Sequence, residues 1–181
     1  LAQLSEKTRT HLITYVPQEP HIFTAPLAEN VSLWLEDATD EAVTAALEAA
    51  ALGDFLHTLP DGLHTPLGAG GHPLSAGERH RLGLARAFFQ NRPIVLLDEA
   101  TAYSDPDNEA IIQESIDALI KDKTIIMIAH RLSTIVNANK IIVVDNGDIV
   151  EEGSHKKLLE LNGRYREMWD VYTEAKEIEV I

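Results

Sequence analysis

Residues Ile94–Thr101 read IVLLDEAT: four apolar positions, β-branched at the start, running directly into two adjacent carboxylates. A short, fully apolar run of this kind fits a strand buried in a parallel sheet. In open α/β sheets the carboxyl ends of the strands face the ligand crevice, so Asp98 and Glu99 would stand at its edge. Two similar runs follow. Thr124–Ala129 (TIIMIA) ends at His130, and Lys140–Val144 (KIIVV) is turned by Asp145–Asp148 (DNGD) into Ile149–Glu151 as a hairpin. Between the first two, Asp105-Pro106 marks a helix start with proline at the first helical position. Ile111, Ile112, Ser115, Ile116 and Leu119 then recur at helical spacing. This alternation from residue 93 onward predicts a parallel sheet with right-handed crossovers, closed by helices from about His155 and Arg164.

Upstream of residue 93 the pattern is mainly helical. His11–Val16 (HLITYV) is a β-prone run stopped by Pro17, a strand that delivers Gln18 into a loop. Thr39 or Asp40 can cap a helix whose apolar stripe is Ala42, Val43, Ala46, Leu47 and Ala50, with Gly53 as its stop signal. Pro60–Gly62 is a turn and Thr65–Pro73 (TPLGAGGHP) a glycine loop. Ser75 opens a helix to about Gln90, with Leu82, Ala85, Arg86 and Phe89 on one face.

Composition narrows the function classes. The 181 residues are 45% hydrophobic and 24% charged, which suits one globular domain, or one with a subdomain. Apolar stretches of about five residues fall far short of the ~18 that cross a bilayer, and no signal-peptide layout is present. The absence of cysteine removes disulfide scaffolds, thiolate metal sites and cysteine nucleophiles. A net charge of −14 argues against nucleic acid as a partner. A soluble, cytoplasmic α/β domain remains. Leu1 opens the sequence without an initiator Met, as expected for a piece of a longer protein. None of the ten glycines is followed by lysine, so the phosphate-binding G-x-x-x-x-G-K-[ST] loop does not occur.

Three segments can carry chemistry. Asp98 can hold Mg²⁺ directly or through water, while Glu99 can orient and polarise an attacking water; a strand ending in solvated acids would read the same way. Leu74–Glu78 (LSAGE) has the S-x-x-E spacing of a capping box. The same helix N-terminus, with small Ala76 and Gly77 beside a free hydroxyl, is also suited to phosphate. His130 ends a buried strand, where a ligand site would need it and a surface histidine would equally stand. The other histidines lack metal-ligand spacing.

The order Gln18, LSAGE, IVLLDEAT, Ala102–Asp105 (AYSD), His130 resembles the ATP-binding-cassette (ABC) family: Q-loop, signature motif, Walker B strand, D-loop and H-loop. Val16–Phe23 (VPQEPHIF) with Glu29-Asn30-Val31, Leu59–Gly62 (LPDG), Arg79–Ala87 (RHRLGLARA), His130–Ile135 (HRLSTI) and Gly147–His155 (GDIVEEGSH) are similar to exporter-type cassettes. The resemblance covers nearly the whole chain. It implies an α/β fold, a partial RecA-like parallel-sheet ATPase core with an inserted α-helical subdomain. Residues 1–18 would be a core strand leading to the Q-loop, 19–92 the helical subdomain, and 93–181 the remaining core with its C-terminal helices.

The resemblance also implies ATP and Mg²⁺ as cofactors. Glu99 would be the general base, Asp98 the Mg²⁺-associated acid, and Gln18 a sensor of Mg²⁺ and water that links to a transmembrane domain. His130 would contact the γ-phosphate. Ser75, Ala76, Gly77 and Glu78 would meet ATP held by a second nucleotide-binding domain, identical or not, with Asp105 at the seam. The implied protein is a transport ATPase at the cytoplasmic face of a membrane, and the implied alternatives are a non-catalytic cassette relic or a soluble ABC ATPase. Three departures stand out. LSAGE replaces the LSGGQ that the family favours. Ala69 replaces the second acid of a loop usually reading T-E-V-G-E-R-G. The adenine-stacking and Walker A loops are missing, so the chain resembles the C-terminal three-quarters or so of a cassette, inactive alone.

Overall fold

The computed structural model describes residues 5–36, 38–98, 106–129 and 132–178; Glu99, Asp105 and His130 lie outside them. The chain divides into two compact units, Leu1–Ile128 and Ala129–Ile181.

The first unit opens with α1 (Glu6–Leu12), capped by the Ser5 side chain, and β1 (Ile13–Val16). His11 and Leu12 thus belong to the helix, and the expected strand starts two residues later than its β-prone composition suggests. Ser5 capping and the first-turn Glu6 carry the helix forward until β1 pairs with its neighbour. Four helices follow: α2 (Leu27–Ser32), α3 (Asp40–Ala49), α4 (Gly53–Thr58) and α5 (Ala76–Gln90). Then come β2 (Ile94–Asp98), α6 (Pro106–Leu119) and β3 (Thr124–Ile128). The three strands form a parallel sheet in the order β1-β2-β3, with Val16 opposite Leu97 and Leu97 opposite Met127. This is an α/β fold with a helical part between β1 and β2, in agreement with the sequence reading.

One face of the sheet is covered. Val16, Val95 and Leu97 are buried in the same cluster as Leu82, Leu84 and Ala85 of α5 and Ile112, Ile116 and Leu119 of α6. Each buried Val, Leu or Ile side chain among them contributes roughly 1.5–3 kcal/mol, and Ala85 less. Gly83 permits the close seating of α5, since a Cβ there would stand 2.7 Å from Pro20 Cγ, just past the Gln18 turn. On the other face Tyr15, Ile126 and Ile128 are more than half exposed. Period-2 geometry explains the division: Tyr15, Leu96 and Ile126 are register partners and share one face.

The second unit holds β4 (Ile141–Asp145) and β5 (Asp148–Gly153), an antiparallel hairpin closed by Asn146 and Gly147, both at positive φ. The Lys140–Val144 run, expected as a third strand of the parallel sheet, pairs only with β5 among the described residues. Its burial alternates, with Ile141 and Val143 inside and Ile142 and Val144 outside, because a two-stranded ribbon has one covered face. α7 (His155–Leu161) and α8 (Arg164–Ile178) cover it. Tyr165, Leu158, Ile141 and Val143 form the core here, and Glu151 accepts from the backbone N–H groups of Arg164 and Tyr165 at the start of α8.

His80 of α5 is 8% exposed, and its Nε2 has no hydrogen-bond partner among the described residues. Burial, and secondarily the neighbouring charge of Arg81, pushes its pKa from 6.5 down to about 4. The unfolded chain therefore binds more protons than the folded one between these values, so His80 makes stability fall as pH drops from 6.5 to 4. His80→Leu should remove that slope. Urea unfolding at several pH values should show the variant gaining up to about 3 kcal/mol on the parent as pH falls across this window.

Candidate functional site

Asp98 is the last residue of β2, half-buried, at the carboxyl end of the central strand. One strand over, β1 ends at Val16, the register partner of Leu97, and two residues later the half-buried Gln18 lies in the bend beyond Pro17. Parallel pairing thus puts the carboxylate and the amide at the same end of adjacent strands, in the position where such sheets bind ligands. Glu99 and His130 follow the same ends of β2 and β3 in the sequence, outside the described residues, as does Asp105.

The phenol of Tyr15, on β1, donates to Asp98 Oδ2 at 2.7 Å. That bond, then partial burial, then the charge of Asp98 hold the Tyr15 pKa above its usual 10, so the hydroxyl stays a donor at neutral pH. No sequence signal singled out Tyr15 chemically. Period-2 placement on the face of Asp98, two register positions behind it, is the signal that could have done so.

Ser75, Ala76, Gly77 and Glu78 form a second group, at the start of α5. Ser75 is the N-cap and the capping box is complete: the Glu78 N–H donates to Ser75 Oγ at 3.2 Å, and the Ser75 N–H donates to Glu78 Oε2 at 2.7 Å. The Ser75 hydroxyl also donates to Glu78 Oε2, at 2.7 Å. Ser75 and Ala76 are exposed, and Gly77 is buried. The fifteen-residue helix directs its remaining free amides and positive end outward here, which suits an anion. A phosphate would compete with the Glu78 carboxylate for the Ser75 proton.

Asn30 and Arg86 join the loop after Gln18 to this helix. Asn30 is fully buried; its Oδ1 accepts from the Phe23 N–H at 2.9 Å, and its Nδ2 donates to the carbonyls of Phe23, Ala25 and Pro26. Arg86 donates from Nε to the Asn30 carbonyl at 2.7 Å and from Nη2 to Asn30 Oδ1 at 3.2 Å, with its guanidinium over the Phe23 ring. Burial lowers the Arg86 pKa to about 10, so it remains cationic. In the sequence Arg86 lay on an apolar helix face, and a charge on such a face signals a waiting partner.

The ABC transporter family matches the chain over residues 2–102. This chain belongs to that family. It is 45% identical over 157 residues to an ATP-dependent lipid A-core flippase of Haemophilus influenzae (strain 86-028NP), covering 86% of this chain and 27% of that protein. It is 44% identical over 159 residues to a Staphylococcus aureus (strain NCTC 8325 / PS 47) protein named for multidrug export, an ATP-binding/permease protein, covering 88% and 28%. Among solved structures, a bacterial Atm1-family ABC exporter with ATP bound superposes with a TM-score of 0.84 at 38% identity, over 94% of this chain and 30% of the exporter. The ABC chain therefore spans less than a third of these relatives' lengths. Among the described residues no helix is long and apolar enough to cross a membrane.

The ABC family binds ATP, typically with Mg²⁺. The donor set here fits that ion. No group of three or more His, Asp or Glu converges among the described residues, and Mg²⁺ needs no such cage, taking one or two carboxylates with phosphate and water. Asp98 keeps acceptor capacity beyond the Tyr15 bond, having a second oxygen.

The capping box gives a structural prediction for Ser75. Ser75→Ala should cost about 1 kcal/mol of stability, and Ser75→Asp, which restores the cap, should recover most of it. Chemical denaturation of the two variants checks this; equal loss in both would contradict the capping geometry.

Proposed function

We propose that this chain is the greater part of the nucleotide-binding domain of an exporter-type ABC transporter, with residues 1–18 and 93–181 in the ATPase core and 19–92 as its helical subdomain. In this reading it works at the cytoplasmic face of a membrane, joined to a transmembrane domain and paired with a second nucleotide-binding domain. The observation that carries the proposal is the parallel register of Val16 with Leu97, which sets Gln18 and Asp98 at one end of adjacent strands.

Asp98, with Gln18, would hold Mg²⁺, whose charge offsets that of the ATP phosphates. Glu99 follows Asp98 directly and would accept a proton from the attacking water, or orient it, as the terminal phosphoryl group passes to that water and ADP leaves. His130 would hydrogen-bond the γ-phosphate oxygens. At the other end of the machinery, the Ser75 hydroxyl and the first amides of α5, around Ala76 and Gly77, would meet the phosphate held by the second domain. Glu78 would then retain the Ser75 N–H while the hydroxyl turns to the phosphate. Asp105 would lie along the seam. Two active sites, each shared between domains, would make hydrolysis and association interdependent.

The test is Glu99→Gln in the complete transporter. The amide keeps shape and loses proton-accepting capacity, so nucleotide binding should persist while turnover falls by about 100-fold or more. Near-normal hydrolysis would contradict the assignment. The 181-residue chain alone has no G-x-x-x-x-G-K-[ST] cradle, and calorimetry should show no MgATP binding below millimolar concentration. Micromolar binding would reveal another phosphate site and overturn this part of the account.

A further inference from the structure

The bond between Tyr15 and Asp98 does something that a sheet does not require. Parallel strands are held by their backbone ladders, and β1 already pairs with β2 from Ile13 to Val16. Tyr15 adds a side-chain tie across that ladder, reaching from its own register position, Leu96, to the residue two further on along the same face. A long aromatic side chain covers this diagonal. The residue as a whole is 55% exposed. The hydroxyl ends on one oxygen, Oδ2, of the carboxylate that terminates β2.

A terminal aspartate otherwise turns freely between rotamers, and its two oxygens are interchangeable to a cation. Binding one oxygen to a fixed phenol fixes the rotation and distinguishes the two. Resting on the reading of Asp98 as the Mg²⁺-holding acid, we propose that Tyr15 is a positioning residue for the metal: it pins Oδ2 and leaves Oδ1 aimed at the cation. Groups that orient a metal's carboxylate or histidine ligands typically govern affinity by about 10–100-fold. Because β1 continues through Pro17 into Gln18, the same bond ties the strand that delivers the second proposed metal contact to the strand that ends in the first. A small shift of β1 along β2 would then change both contacts together.

The experiment is a Mn²⁺ titration of the complete transporter loaded with a non-hydrolysable ATP analogue, with free Mn²⁺ read by electron paramagnetic resonance. This measures metal retention without turnover. Tyr15→Phe, which keeps the ring and removes only the hydroxyl, should weaken Mn²⁺ about 10-fold, and Tyr15→Leu should weaken it to a similar degree. Parent-like Mn²⁺ affinity in Tyr15→Phe would overturn the proposal, whatever Tyr15→Leu does, because the ring alone would then be sufficient. Asp98→Asn distinguishes the role of Tyr15 from that of Asp98. If it releases Mn²⁺ while Tyr15→Phe does not, the positioning role fails and the metal reading of Asp98 stands. If Asp98→Asn holds Mn²⁺ as well as the parent, that reading fails and the role of Tyr15 falls with it.

Discussion

A half-buried arginine bonded to a fully buried asparagine governs the arrangement of the first unit. Arg86 lies in the middle of α5, on the face turned toward α2, and a guanidinium there must be matched by acceptors or not be buried at all. Asn30 supplies them through both its backbone carbonyl and its side chain, and then uses its own amide to close the loop from Phe23 to Pro26. Two segments that each carry proposed nucleotide contacts, the loop that follows Gln18 and the helix that begins at Ser75, are thereby fastened to each other 56 residues apart in sequence. Apolar burial around Leu27, Val31, Leu82 and Leu84 makes the region stable; the polar clamp makes it single-valued, since apolar surfaces slide more readily than matched donors and acceptors.

The sheet contributes a different constraint. Parallel pairing in fixed register brings the ends of β1 and β2 level, so Asp98 and Gln18 share an edge without any direct loop engineering. The face toward α5 and α6 is packed, and the opposite face presents Tyr15, Ile126 and Ile128. Asp98 stands on that open side with Tyr15. Charge and hydroxyl chemistry thus collect on the uncovered face of the strands while the covered face holds only aliphatic side chains and Thr14.

Much of this was legible in the sequence. IVLLDEAT, TIIMIA and the Pro106 helix announced a parallel α/β core, but β3 is not the buried strand its apolar run suggested. Thr124, Ile126 and Ile128 are exposed and Ile125 and Met127 only half-buried, because only one face of the sheet is packed. LSAGE announced a helix start, and the capping box forms as its spacing requires. The hairpin at Lys140–Glu151 was legible as a hairpin but not as a departure from the sheet. An apolar run states that something covers it, not which strand pairs with it. Tyr15 and Arg86 were illegible as partners for a related reason: their bonds reach Asp98 and Asn30 across 83 and 56 residues, and no local pattern encodes a long-range donor–acceptor match. The order of motifs that placed the chain in the ABC family carried information that no single segment held.

Hydrogen–deuterium exchange on the complete transporter bearing Asn30→Ala tests the clamp most directly. The backbone carbonyl of residue 30 would still accept from Arg86, while the bonds made by the Asn30 side chain would be gone. Loss of that side chain from a buried network costs about 2 kcal/mol, a factor of about 30 in local opening. Amides at 22–27 and amides around Gly83–Ala87 should lose protection together and by comparable factors. Faster exchange confined to 22–30, with α5 protected as before, would show that the two segments are held independently, and would contradict the claim that the buried clamp makes them one body.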